Sequence, residues 1–203
     1  QDVAALPDAV DFIGPTEGTI FVRQAQLRYT SGPWSVSIEN PETTYTSYLT
    51  GVRGNSDDNL APDLTLRYLH KAGWGHFTLA ALARQLKVEN GSADSDTAFA
   101  LSASGKVNLG ANDDIRYMVS GGQGIGRYLG LALGPDAMVA ADGSLHALDG
   151  YGGFVAWRPV FSPRLRGNVF YSHAAFDNDT ALTGLGVTES SRSIHANLIW
   201  SPL

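Results

Sequence analysis

The chain alternates. "TIFVRQAQLRYTSGPWSVSIENPE", residues 19–42, reads as two period-two runs joined by a tight turn at Ser31-Gly32-Pro33. On the second run Trp34, Val36 and Ile38 share one face, and Ser35, Ser37 and Glu39 share the other. On the first, Ala25, Leu27 and Tyr29 oppose Gln24, Gln26 and Arg28. Period-two alternation is the mark of a strand with one apolar and one polar face. The rhythm recurs and predicts strands over 20–30, 34–40, 63–71, 76–88, 97–108, 115–122, 151–160, 165–176 and 192–200. Phe99, Leu101, Ala103 and Val107 oppose Ser102, Ser104 and Lys106; Ile115, Tyr117 and Val119 oppose Arg116, Met118 and Ser120; Ile194, Ala196, Leu198 and Trp200 oppose Ser193, His195 and Asn197. No stretch of comparable length has a helical period, and the one short helix expected lies within "PDAMVAADGSLHAL", residues 135–148.

The connections alternate too. Short ones fall at 31–34, 72–75, 110–114 and 161–164, and long ones at 41–62, 89–96, 123–150 and 177–191. An up-and-down antiparallel meander gives this spacing, with its tight turns gathered at one end. Two architectures suit such a meander. A soluble sandwich turns its apolar faces into a core. A membrane barrel turns them outward to lipid, and its polar faces line a wet interior.

The tryptophans favour the barrel. Trp34, Trp74, Trp157 and Trp200 all lie in or near short turns. Tyr29, Phe77 and Phe161 join them at that end. An indole has an apolar body and one N–H donor and settles at the hydrocarbon–water boundary, so a ring of them reads as an aromatic girdle. Charge supports the same choice. The acids concentrate in connections, whereas the strand interiors carry Arg28, Arg67, Arg84, Lys106 and Arg116 against a lone Glu39. Arg28, Arg67, Lys106 and Arg116 fall on the polar parity. An Arg or Lys facing lipid at mid-depth costs about 2–4 kcal/mol, so these four are expected to face a lumen, and a wall rich in guanidinium favours anions. Arg23 shares parity with Phe21 and Leu27, and Arg84 shares it with Leu82 and Leu86, so both break the pattern.

Composition narrows the rest. The chain has 203 residues, is 43% hydrophobic, and has no run near the ~20 apolar residues of a spanning helix. A net charge of −6 argues against nucleic acid as a partner. With no cysteine there is no thiolate metal site, thiol catalysis or disulfide. The five histidines show no ligand spacing, and "GGQGIGRYLG", 121–130, lacks the helix that a phosphate-cradling loop would open. "DNDT", 177–180, lacks the full calcium-loop pattern. No catalytic residue, metal or cofactor is expected. The chain opens on Gln1 and ends on "HANLIWSPL", and both ends read as cut from, or processed out of, a longer protein.

Several stretches resemble a known family: "LPDAVDFIGPTEGTIFVRQAQLRYT", "SVSIENPET", "WGHFTLAALARQLK", "GLGVTESSRSIHANLIWSP" and above all "GQGIGRYLGL". The chain is similar to the DcaP-like outer-membrane porins. The resemblance implies a homotrimer of barrels of about 16 strands, of which this chain supplies about nine, in contact with outer-membrane lipid and lipopolysaccharide. It implies passive uptake of dicarboxylates and related organic anions. Residues 1–19 would then be an inward-folding constriction loop carrying Asp8, Asp11 and Glu17. The expected pore-lining set is Arg28, Arg67, Arg84, Lys106, Arg116, Arg127, Gln24, Gln26 and Glu39. A soluble β-sandwich or barrel binding a carbohydrate or another small ligand is the alternative.

Overall fold

In the computed structural model, which describes residues 5–10, 14–89 and 93–202, nearly all regular structure is β. In chain order the strands are β1 (Gln26–Ser31), β2 (Trp34–Glu39), β3 (Thr43–Ser47), β4 (Arg53–Ser56), β5 (Asp63–Ala72), β6 (Gly75–Glu89), β7 (Ala93–Leu109), β8 (Asp113–Gln123), β9 (Ala137–Val139), β10 (Leu145–Ala147), β11 (Asp149–Arg158), β12 (Val160–Ser162), β13 (Leu165–Phe176) and β14 (Ser190–Trp200). One helical turn, α1 (Thr180–Thr183), is capped by the Asp179 carboxylate.

Ten strands form one antiparallel sheet in the order β1-β2-β5-β6-β7-β8-β11-β13, with β14 also on β13 and β12 at its start. Each neighbour follows in sequence once the insertions are set aside, so the sheet is the meander that the alternation predicts. β12 prolongs β11 past Pro159, which has no N–H to give the ladder. Gly32, at φ +56°, lets β1 reverse directly into β2.

Two regions depart from expectation. The 135–148 stretch is the β9–β10 hairpin rather than a helix. It joins β3 and β4, from the connection after β2, in a second sheet of four strands. The expected connection at 89–96 is mostly strand, because β6 and β7 pair from Gly75–Val107 up to Glu89–Ala93.

The two faces of the large sheet differ sharply. One carries Leu27, Ile38, Leu101 and Leu198, which remain 44–72% exposed. Val36, Leu66, Leu79, Phe99, Val155, Val169 and Ile194 share that face and are exposed as well. A sandwich core would bury these residues, so the soluble alternative fails here. The opposite face is covered from within the chain. Leu6, Ala9 and Ile20 pack on Met118, Phe154, Ala156 and Phe170. Ile125 and Tyr128 pack with Ala100, and Leu129 packs with Ala174 and Phe176. Farther along, Leu86, Val88 and Ala98 meet the small sheet through Ala137, Val139 and Leu145. The chain therefore folds two of its own parts, residues 5–10 with 14–22 and the 124–148 connection, against the inner face. They meet each other at the Ile20–Leu129 bridge.

Candidate functional site: an inner wall with two kinds of charge

Register places the side chains. Cross-strand partners share a face, and the ladder runs Ser35–Arg67–Ala80–Ser102–Ser120 across the inner wall. Arg28 pairs with Ser37, Lys106 with Arg116, and Arg84 with Ala98, all on that same wall. Arg84, which broke the parity pattern, is thus inward. Its neighbours Leu82 and Leu86 are the residues misread, since they face inward beneath the folded-in segments.

Five of the expected pore residues come together. Gln24, Gln26, Arg28, Glu39 and Arg67 line one cavity of about 340 Å³ between residues 20–28 and strands β2, β5, β6 and β7. The Glu39 carboxylate accepts from Ser37 Oγ (2.8 Å), Thr65 Oγ1 (3.2 Å) and the Gln24 amide. Arg67 Nη2 donates to Ser35 Oγ at 3.1 Å. The wall here is small and polar, with hydroxyls at Ser35, Ser37, Thr65 and Ser102.

Arg84 and Arg127 are elsewhere and are corrections to the expected set. They are 3% and 7% exposed: Arg84 lies beneath the 124–148 connection and Arg127 belongs to it, so neither stands on an open wall. Arg84 Nη1 lies 3.1 Å from Asp136 Oδ1 and donates to the Gly124 carbonyl at 2.8 Å. Its Nε is 3.4 Å from Asp63 Oδ2. Arg127 Nη2 is 3.3 Å from Glu42, and its backbone N–H donates to Asp136 at 2.7 Å. Tyr128 lies beneath both guanidiniums and donates to Asp63 at 2.7 Å. Burial, with the Asp63 carboxylate next in effect, drives the Tyr128 phenol far above its ordinary range, so it stays a donor. The cluster pins the connection to the wall.

Near the short turns Arg116 is held by Asp114 at 2.8 Å and by Asp8 at 3.3 Å. Asp8 also meets Arg166 at 3.1 Å, while its backbone carbonyl accepts from Asn168 and Asn197. Asp114 in turn takes Arg158 at 2.7 Å. Arg158 and Arg166 were absent from the sequence reading, although both alternate with outward residues of their strands. Glu17 accepts from Ser193 Oγ at 2.8 Å. Asp11 lies outside the described residues. Arg23 precedes β1, is exposed, and stands 5.6 Å from the Phe21 ring.

The outer face completes the picture. Trp34, Trp74, Trp157 and Trp200 are 47–71% exposed and lie at the short-turn end. Trp34 contacts Tyr68, and Trp74 stacks near Phe77. An exposed apolar sheet face edged by indoles, with the polar face turned to an interior cavity, has the polarity of a barrel in lipid. Among solved structures, the outer membrane channel DcaP of Acinetobacter baumannii superposes on all of this chain with a TM-score of 0.77 at 21% identity. The chain has the DcaP fold. It spans 59% of that channel's length. No protein-family model and no curated protein matches it.

Proposed function

We propose that the chain is part of a passive diffusion channel of the bacterial outer membrane, selective for small organic anions such as dicarboxylates. Further strands close the barrel, and three copies assemble as a homotrimer in contact with lipid and lipopolysaccharide. The reading assigns no catalysis, no cofactor and no nucleic-acid partner. Its main support is the inversion of faces: large apolar side chains are exposed outside, while Arg28 and Arg67 line an interior cavity. A guanidinium holds a carboxylate through two parallel hydrogen bonds. On a hydrated wall that contact is weak enough to release the solute.

The test is reversal potential in a potassium chloride gradient across planar bilayers. The wild type should favour chloride, and R28S/R67S should move the potential toward neutrality. An unchanged potential would remove this wall from selectivity.

A further inference from the structure

The register of four neighbouring strands places Lys71 opposite His76, His76 opposite Lys106, and Lys106 opposite Arg116. All four lie on the inner parity, so basic side chains occupy consecutive positions on one lateral row. Adjacent strands are about 4.8 Å apart, which leaves little room between successive side chains. Lys106 stands directly opposite Arg116, and directly opposed like charges are destabilising in a sheet, so an anion beside Lys106 would relieve that pair.

Among the described residues, the paired acids serve only one end of the row. Asp114 and Asp8 hold Arg116, and the same two carboxylates take Arg158 and Arg166. Among the described residues, neither Lys71 nor Lys106 has an ion-pair partner. Lys71 is exposed and Lys106 half-buried, so both ammonium groups can be reached from the interior. The row begins one residue pair from the two-residue turn between β5 and β6, at the short-turn mouth. The cavity holding Arg28 and Arg67 is lined by residues farther from that turn.

We infer that Lys71, His76 and Lys106 form a separate docking row at the short-turn mouth that selects solutes by number of negative charges. An anion with several carboxylates can meet Lys71 and Lys106 together, with the His76 ring between them, whereas a monocarboxylate satisfies only one. The inference rests on the anion-channel reading and adds a second station, distinct from the arginine cavity, that discriminates valence.

The test uses the whole protein in planar bilayers, with citrate and acetate as blockers of chloride current. K71Q/K106Q should raise the half-blocking citrate concentration about tenfold and move acetate by less than about twofold. R164Q, on the exposed short turn after β12, should change neither. If the double variant does not assemble, K71Q and K106Q alone should each shift citrate about threefold. An unchanged citrate block, or equal shifts for citrate and acetate, would overturn the row while leaving the channel intact. A wild type that prefers potassium to chloride would instead overturn the anion-channel reading.

Discussion

Arg84 and Lys106 point to the same side of the same sheet, one strand apart, and serve opposite ends of it. Around Arg84, the acids Asp63 and Asp136 are fully buried with the guanidinium, and the Tyr128 ring closes the group. Around Lys106, the cross-strand neighbours are His76 and Arg116, and no carboxylate pairs with it among the described residues. Parity therefore decides which face a cation takes but not what the cation can do there. Where a folded-in segment brings an acid of its own, Asp136, beside Asp63 of the wall, the charge becomes structural cement. Where none arrives, as at Lys106, it has no carboxylate partner among the described residues.

The largest expected effect breaks this contrast directly. R84A strands two buried carboxylates and should destabilise the protein by about 3–5 kcal/mol. K106A, on the same parity, should stay within about 0.5 kcal/mol of the wild type. Thermal unfolding in detergent, followed by gel mobility, measures both, and equal losses would erase the distinction between the two ends. A smaller effect separates the faces. L101R sets a guanidinium against lipid and should cost about 2–4 kcal/mol, whereas its sequence neighbour S102R points into the interior and should cost less than half as much. The smallest concerns the small sheet's own connection. Asp58 accepts from Ser56 Oγ at 2.6 Å and from the Glu89 N–H at 3.0 Å, and these bonds hold its carboxyl below the usual carboxylate range. The folded form thus keeps the charge that the unfolded chain loses first. The stabilisation is complete above the ordinary carboxylate pKa and fades only as pH falls through the lower folded value. The Glu89 amide resonance should accordingly titrate with a midpoint below 3.8, and D58N should abolish that transition.

Much of this was readable from residues alone, because a barrel strand reveals its two faces by alternation. Strands stand at all nine predicted places, although the first covers only Gln26–Ser31 of the expected 20–30, and the exposed set of Leu27, Ile38, Leu101 and Leu198 is the set the alternation assigned to one face. Alternation failed where the inner face is itself apolar. Leu82 and Leu86 imitate lipid-facing residues because the folded-in segments bury them as effectively as acyl chains would. The 137–147 hairpin was missed because strands of only three residues fit either period, yet Asp142-Gly143 between them is a strong short-range hairpin signal. The basic row was hidden for a different reason. Lys71, His76, Lys106 and Arg116 belong to four strands, and only the register turns four scattered residues into neighbours. The partners of Arg84 were hidden likewise, since 52 positions separate Arg84 from Asp136 and only the folding-in of a connection joins them.

Gly18 sets a hard limit on how closely the folded-in segment seats on the sheet. A Cβ at this position would fall on the carbonyl of Gly153, so main chain rests on main chain where the folded-in segment crosses β11. Two peptide backbones cannot change rotamer. At that height the spacing between the segment and the sheet is set by covalent geometry rather than by side-chain choice, so the charges on either side could change in evolution while the seat of the segment stayed constant.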